Sequence, residues 1–392
     1  MNKQLRQLYT TRYKTPLLIV LLVLFSLYLF SGLSTINSWK NTQRYYHSEE
    51  FVTDFREFPE NYVIGYDEEK DQEIYPTDIE EYRKHHLTVF TRWWEEGPAT
   101  FYQVGRHYYD KYDSFYLHLV FIFLFVLGFS LFFIDQKSNF NHFLFSLSWT
   151  KKELFQGKMT TVVLPIITTV ALGTLSNILI RYFGIPRMYV NATFSQFLYS
   201  GFSHFIIGIL ILIAGILLGI LLGNLIYGPI VLIIVMVSLL LFSEVYQEYL
   251  YYIDALFDYP IHYDWQALVV VTPGIDGTPW FILVFYFVLT ILFYFLSRTI
   301  FQQISLENNG CMLTVPTLRL PVFLTLSALS ILWFVPLFAN LSFYFQFEAV
   351  IPFLQIVITT LLCLVTSYLI VYIDDWPRAI GRFWYRSFKK VH

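Results

Sequence analysis

Residues 203–243 read SHFIIGILILIAGILLGILLGNLIYGPIVLIIVMVSLLLFS. As one helix this stretch would be roughly 60 Å long, about twice the apolar thickness of a bilayer. Its middle carries Gly223-Asn224 and Gly228-Pro229, which are turn residues. Two spans joined by a tight hairpin are therefore the better reading. That choice fixes the span count and places the C-terminus. Working outward, apolar stretches at 17–33, 115–134, 159–180, 203–224, 229–243, 279–297, 321–338 and 349–373 meet or approach the ~20 residues that a membrane helix needs. The fifth is short and reads better as extending to about 226 and 246.

Composition agrees. Of 392 residues, 56% are hydrophobic and only 14% charged, against about 25% charged in soluble domains. A soluble enzyme and a disordered chain are both excluded. The net charge of −3 offers no attraction to nucleic acid. Cys311 and Cys363 are too few for a disulfide framework or a zinc cluster. No span alternates with the period of an outer-membrane barrel. The expected fold is an all-α polytopic membrane protein of about eight transmembrane helices. The N-terminal apolar run is longer than a signal-peptide core and no small-x-small site follows it, so it is read as a retained first helix.

With the N-terminus in the cytoplasm, the inner segments hold 15 Lys and Arg against 5 Asp and Glu, and the outer ones 11 against 24. This is the positive-inside asymmetry, with both termini cytoplasmic. All Asp, Glu, Lys and Arg residues fall outside these span limits. Proton-coupled transporters and voltage sensors keep such groups at mid-membrane, so neither class is favoured. His118 and His204 lie near the outer ends of their spans, as interfacial histidines or as parts of a proton relay.

Four domains follow. Residues 1–33 comprise an interfacial helix over 2–14 and the first span. Residues 34–114 form an aromatic-rich extracellular subdomain with 17 acidic and 9 basic residues. Residues 115–300 hold spans two to six, with an outer re-entrant segment at 244–278 that reads equally as a lid or a loop cap. Residues 301–392 carry spans seven and eight and a basic amphipathic tail. In that tail Trp376, Ile380, Phe383, Trp384 and Phe388 face opposite Arg378, Arg382, Arg386, Lys389 and Lys390, as a membrane anchor or a docking surface. The acidic run 67–73 lacks the glycine and closing glutamate of a calcium loop and reads as a solvated turn. Gly215, Gly219 and Gly223 recur every fourth residue, which allows close helix approach within this chain or against a second subunit.

The segment between spans two and three carries the functional signal. Residues 138–158 combine an apolar patch around Leu144 and Leu147 with a break at Ser148. Thr150-x-x-Glu153 then forms a capping box that starts a new helix. Lys151, Lys152 and Lys158 add positive charge, and Phe155 adds apolar surface. A greasy, basic helix-turn-helix of this kind is a docking surface for a soluble partner.

This segment resembles the ABC-2 family of ABC transporter permeases. In that family an acidic residue ends the second span. A pattern close to Leu-Pro-x-Ser/Thr-Arg/Lys-x-x-Leu-x-x-x-Lys then leads into the third. The chain matches at Asp135, Leu147, Thr150, Lys151, Leu154 and Lys158, and departs at Ser148, where proline is usual. The resemblance implies a six-helix core plus two C-terminal helices, and a permease subunit of an ATP-driven exporter in a bacterial plasma membrane. It implies two cytoplasmic ABC ATPase partners bound through Leu144, Leu147, Thr150, Lys151, Lys152, Glu153, Phe155 and Lys158, and a second permease subunit, identical or homologous. The additions beyond six spans are similar to those of Gram-positive exporters of peptide antibiotics, and an aromatic, apolar path suits a lipidic or amphipathic cargo. No catalytic residue, metal or cofactor is expected in this chain, with ATP and magnesium held by the partner. In agreement, the sequence has no G-x-x-x-x-G-K-[ST] loop, no H-E-x-x-H and no G-x-S-x-G. The competing readings are a non-catalytic sensor or assembly protein using 34–114, and a membrane-embedded enzyme using acids of the outer segments.

Overall fold

The computed structural model describes residues 3–67, 72–76, 78–91, 109–110, 115–236, 280–305, 307, 310–344 and 350–375. The long helices are α1 (Lys3–Tyr46), α4 (Phe115–Lys137), α7 (Leu164–Gly184), α8 (Phe194–Leu221), α10 (Trp280–Gln303), α11 (Arg319–Tyr344) and α12 (Val350–Val371). Short helices are α2 (Glu49–Glu57), α3 (Ile79–Leu87), α5 (Phe140–Phe145), α6 (Lys151–Lys158) and α9 (Tyr227–Met236). The strands β1 (Gly65–Asp67) and β2 (Gln72–Ile74) pair antiparallel, with Gly65 opposite Ile74. So do β3 (Phe90–Thr91) and β4 (Tyr109–Asp110).

Seven of the helices among the described residues are long and apolar enough to cross a membrane. Their outward faces remain greasy: Leu18, Leu22, Phe285, Val288, Leu361 and Leu362 are all more than half exposed. A water-facing surface does not carry apolar patches of that extent, whereas lipid requires them. The chain is a multi-pass, all-α membrane protein. α9 coincides with the start of the fifth predicted span. The rest of that span, the 244–278 segment, most of 92–114 and the basic tail lie outside the described residues.

One difference from the sequence reading concerns the N-terminus. The expected break between 2–14 and the first span is absent, and α1 runs as one 44-residue helix through Pro16. Its length, about 66 Å, exceeds a bilayer core at both ends. Pro16 has no N–H to offer the Arg12 carbonyl. The helix persists because Leu5 and Tyr9, each 1% exposed, are held against α6.

Helices pair in parallel through small residues. Along α1 and α7, Gly173 receives the ring of Tyr28, Gly32 receives Ile180, and Gly184 receives Ile36. Along α4 and α8 the backbones themselves touch: a Cβ on Gly215 or Gly219 would fall well inside 3.0 Å of the Phe125 or Phe129 carbonyl oxygen, and one on Gly128 would meet Leu212. α7 and α8 run antiparallel and join the two pairs, with Gly201 against Ile178 and Thr174. α10 packs along α8, and α11 packs on α12.

The insert between α1 and α4 is fastened to the end of the bundle remote from Lys3. Trp39 Nε1 donates to the Leu87 carbonyl at 2.9 Å, and Arg83 Nε donates to that of Tyr46 at 2.7 Å. Tyr46, Phe51, Phe55, Tyr62 and Tyr82 form a continuous aromatic cluster beneath α2 and α3.

Candidate functional site: an ion-paired junction beneath the projecting segment

At the end of the bundle that carries Lys3, α4 stops at Lys137, and Asn139 adopts a left-handed conformation at φ 57°. Asparagine tolerates that region better than most residues, and the chain turns into α5. Ser146 to Trp149 form the break, and α6 begins at Thr150 with the predicted capping box in place. Glu153 accepts from the backbone N–H and the hydroxyl of Thr150, both at 2.9 Å, and donates its own N–H to Thr150 Oγ1 at 3.3 Å. The cap is worth about 1 kcal/mol. We therefore expect Thr150→Ala to speed hydrogen exchange of the first α6 amides about fivefold, while Glu153→Gln, which preserves the box, leaves them nearly unchanged.

α6 continues through one π-helical turn, Met159–Val163, into α7. Pro165 is the local cause. It cannot donate to the Thr161 carbonyl and would crowd it in a regular α turn. The wider turn relieves that, with the Leu164 N–H reaching back to the Met159 carbonyl.

The junction's charge centre is Asp135 with Lys158. Their side chains meet at 2.5 Å and each is about 3% exposed. Lys158 Nζ also donates to the Leu131 carbonyl and lies 4.2 Å above the Phe132 ring. The Tyr13 hydroxyl donates to the same carboxylate oxygen, and Arg12 stands 3.7 Å from the other. Arg12 further donates to Ser138 Oγ at 2.9 Å and stacks over Phe140 at 4.5 Å. Three elements distant in sequence, α1, the end of α4 and the end of α6, thus close on one carboxylate. Tyr9 completes the clamp by donating to the Leu154 carbonyl at 3.0 Å, where Gly157 leaves room for Leu5 and Tyr9.

The exposed C-terminal carbonyls of neighbouring helices are covered from the same side. Gln136 reaches the Gly219 and Ile220 carbonyls at 3.3 Å, and Thr314 Oγ1 reaches that of Ile220 at 2.9 Å. Lys137 donates to the Gly223 carbonyl. Lys151 donates to the carbonyl of Ile304 at 2.6 Å, just past the end of α10. Cationic donors at helix C-termini satisfy orphan carbonyls and the helix dipole together.

The predicted partner-binding residues therefore divide. Leu144, Phe155 and Lys158 are buried within the chain and hold the segment in place. Leu147 and Lys151 are half-buried, the latter committed to the end of α10. Thr150, Lys152 and Glu153 remain exposed, joined by Phe143 at 49%. Of the three glycines, Gly215 and Gly219 are covered by α4 of the same chain. Gly223 lies beyond α8, where its N–H donates to the Met312 carbonyl at 3.0 Å.

Sequence reading missed the roles of Tyr9, Arg12 and Tyr13. The available signal is the recurrence of Leu5, Leu8, Tyr9 and Arg12 at helical spacing within the 2–14 segment. No family model, curated protein or solved structure matches this chain.

Proposed function

We propose that this chain is the membrane-spanning permease subunit of an ATP-driven exporter of the ABC-2 type, with the Lys3 end in the cytoplasm of a bacterial cell. In this reading a pair of cytoplasmic ABC ATPases docks on the α5–α6 projection, and a second permease subunit completes the path. The observation that supports it is the Asp135–Lys158 pair. The two charged residues that bracket the ABC-2-like pattern lie in contact, so the residues between them form a projection with a fixed base. A passive loop needs no such base. A lever that transmits a partner's movement does, because force applied at Phe143 and Lys152 must reach α1, α4 and α7 without being lost in local bending.

The test is recovery of the full-length, tagged chain from its native membranes. The wild type should bring an ATPase with it, and vesicles holding both should move an amphipathic substrate only with ATP. Phe143→Asp with Lys152→Glu, both on the exposed face, should reduce ATPase recovery at least tenfold without altering membrane insertion. An isolated chain that transports without any ATPase would refute the reading.

A further inference from the structure

Around Pro16 the outer face of α1 changes character within one helical turn. Leu18 and Leu22 are 59% and 60% exposed, an apolar strip that lipid covers. Thr11, Lys14 and Thr15 are exposed as well. Positions 11, 14, 15, 18 and 22 share one side of a helix. That side therefore presents two hydroxyls and an ammonium directly before a strip of leucine. A phospholipid has the same order, a phosphate followed by an acyl chain.

Depth agrees with this match. Lys14 lies four residues, about 6 Å, before Leu18 along the axis. The headgroup layer of one leaflet is about 5–7 Å thick, the difference between the full bilayer and its core. Side chains of a helix tilt toward its N-terminus, which here carries the Lys14 ammonium away from the core and into that layer.

Charge decides which headgroup is favoured. α1 carries Lys3, Arg6, Arg12 and Lys14 in its first turns and no carboxylate along its whole length. Arg12 is committed to Asp135, Ser138 and the face of Phe140. Lys3, Arg6 and Lys14 are exposed, and the ion pairs among the described residues do not include them. The carboxylates Asp135, Glu153 and Asp374 at this end are engaged within the chain, by Lys158, by the Thr150 box, and by the Met312 N–H with Arg319. The outer face of α1 is thus positive and open to an anion from outside the chain.

We propose that Lys14, flanked by Thr11 and Thr15, is a docking site for the headgroup of an anionic phospholipid whose acyl chain lies along Leu18 and Leu22. The site rests on the multi-pass fold and not on the export reading. It also makes a graded demand on the three free cations. Attraction to a charged membrane surface falls off within a Debye length of about 8–10 Å. Arg6 and Lys3 lie about 12 Å and 16 Å farther out than Lys14, so Lys14 should dominate. A soluble acidic partner would weigh the three the other way, since the outermost residues would meet it first.

The test uses the purified full-length protein in dodecyl maltoside with equimolar dioleoyl phosphatidylglycerol and dioleoyl phosphatidylcholine, the retained lipids being counted by native mass spectrometry. The wild type should retain the glycerol lipid at least fivefold over the choline lipid. Lys14→Gln should cut that preference about fivefold, the factor that one cation near a membrane surface carries. Lys14→Arg should keep it, and Arg6→Gln or Lys3→Gln should change it less than twofold. A hundredfold excess of inorganic phosphate should leave the retained lipid unchanged. Equal retention of the two lipids, or an undiminished preference in Lys14→Gln, would overturn the site. Displacement by inorganic phosphate would overturn the lipid as occupant. A larger loss at Arg6 or Lys3 than at Lys14 would overturn the membrane in favour of a soluble acidic partner.

Discussion

Replacing Lys158 by methionine is expected to destabilise the bundle by about 3–5 kcal/mol, the range found when one partner of a buried ion pair is removed. The substitution leaves the Asp135 carboxylate, 2% exposed, with the Tyr13 hydroxyl and the more distant Arg12. Arg12 stands at 3.7 Å against 2.5 Å for Lys158 and is partly exposed, so it offsets only part of the loss. Asp135→Asn should cost a similar amount, because the Lys158 ammonium then keeps neutral partners, the Leu131 carbonyl and the ring faces of Phe132 and Tyr13, and no countercharge at contact distance. The informative variant is the double one, Asp135→Leu with Lys158→Met. It removes both charges at once, and well-packed apolar replacements of buried pairs are often neutral. Thermal unfolding of the purified full-length protein should therefore rank wild type and the double variant close together, with both single variants well below. If each single change lowered stability by less than about 1 kcal/mol, the pair would be behaving as a solvated surface bridge. The base of the projection would then not be fixed by charge. The export reading adds a second expectation: the double variant should fold yet couple poorly, since Tyr13 and Arg12 lose the carboxylate that joins α1 to α4.

How far the sequence disclosed this arrangement depends on the range of the interaction. The apolar stretches, the capping box at Thr150 and the glycine spacing on α8 are local, and each could be read from a window of one or two helical turns. The break in the chain at Gly223–Asn224 also followed from local turn chemistry: α8 ends at Leu221, and α9 begins at Tyr227, close to where that reading put a new helix. The continuity of α1 through Pro16 did not follow, because proline is a local breaker and the contacts of Leu5 and Tyr9 that override it come from α6. Charge was misleading in one respect. Asp135 and Lys158 each lie one residue outside their predicted spans, so hydropathy treats them as solvated ends. Their burial depends on two helices and a third from the N-terminus meeting at one point, which no window contains. Lys151 shows the same limit. Its charge was legible, but its commitment to the Ile304 carbonyl joins residues far apart in the chain.

Gly219→Ala is the change whose sign separates close backbone contact from ordinary packing. For a glycine in an uncrowded helix, alanine stabilises by about 0.8–1 kcal/mol. Here the added methyl would fall well inside 3.0 Å of the Phe129 carbonyl oxygen, and at Gly215 it would meet that of Phe125 in the same way. Backbone atoms of a packed helix cannot swing aside as a side-chain tip can. α4 and α8 must therefore separate, losing contact along their length, at a cost of about 1–3 kcal/mol. The two terms oppose, and the steric one should win, so Gly215→Ala and Gly219→Ala should each lower the unfolding midpoint. Gly208 provides the internal comparison on the same helix. Its nearest neighbour is the Leu124 Cδ1 methyl at 3.3 Å, a group that can yield. Gly208→Ala should thus be neutral or mildly stabilising. The double variant Gly215→Ala with Gly219→Ala should cost less than the sum of its parts, because helices already parted by the first methyl accommodate the second more easily. Full additivity, or a rise in stability at Gly219, would mean that α4 does not lie against α8 as described. It would also return the glycine face to use by a second subunit, since only cover by α4 withholds it.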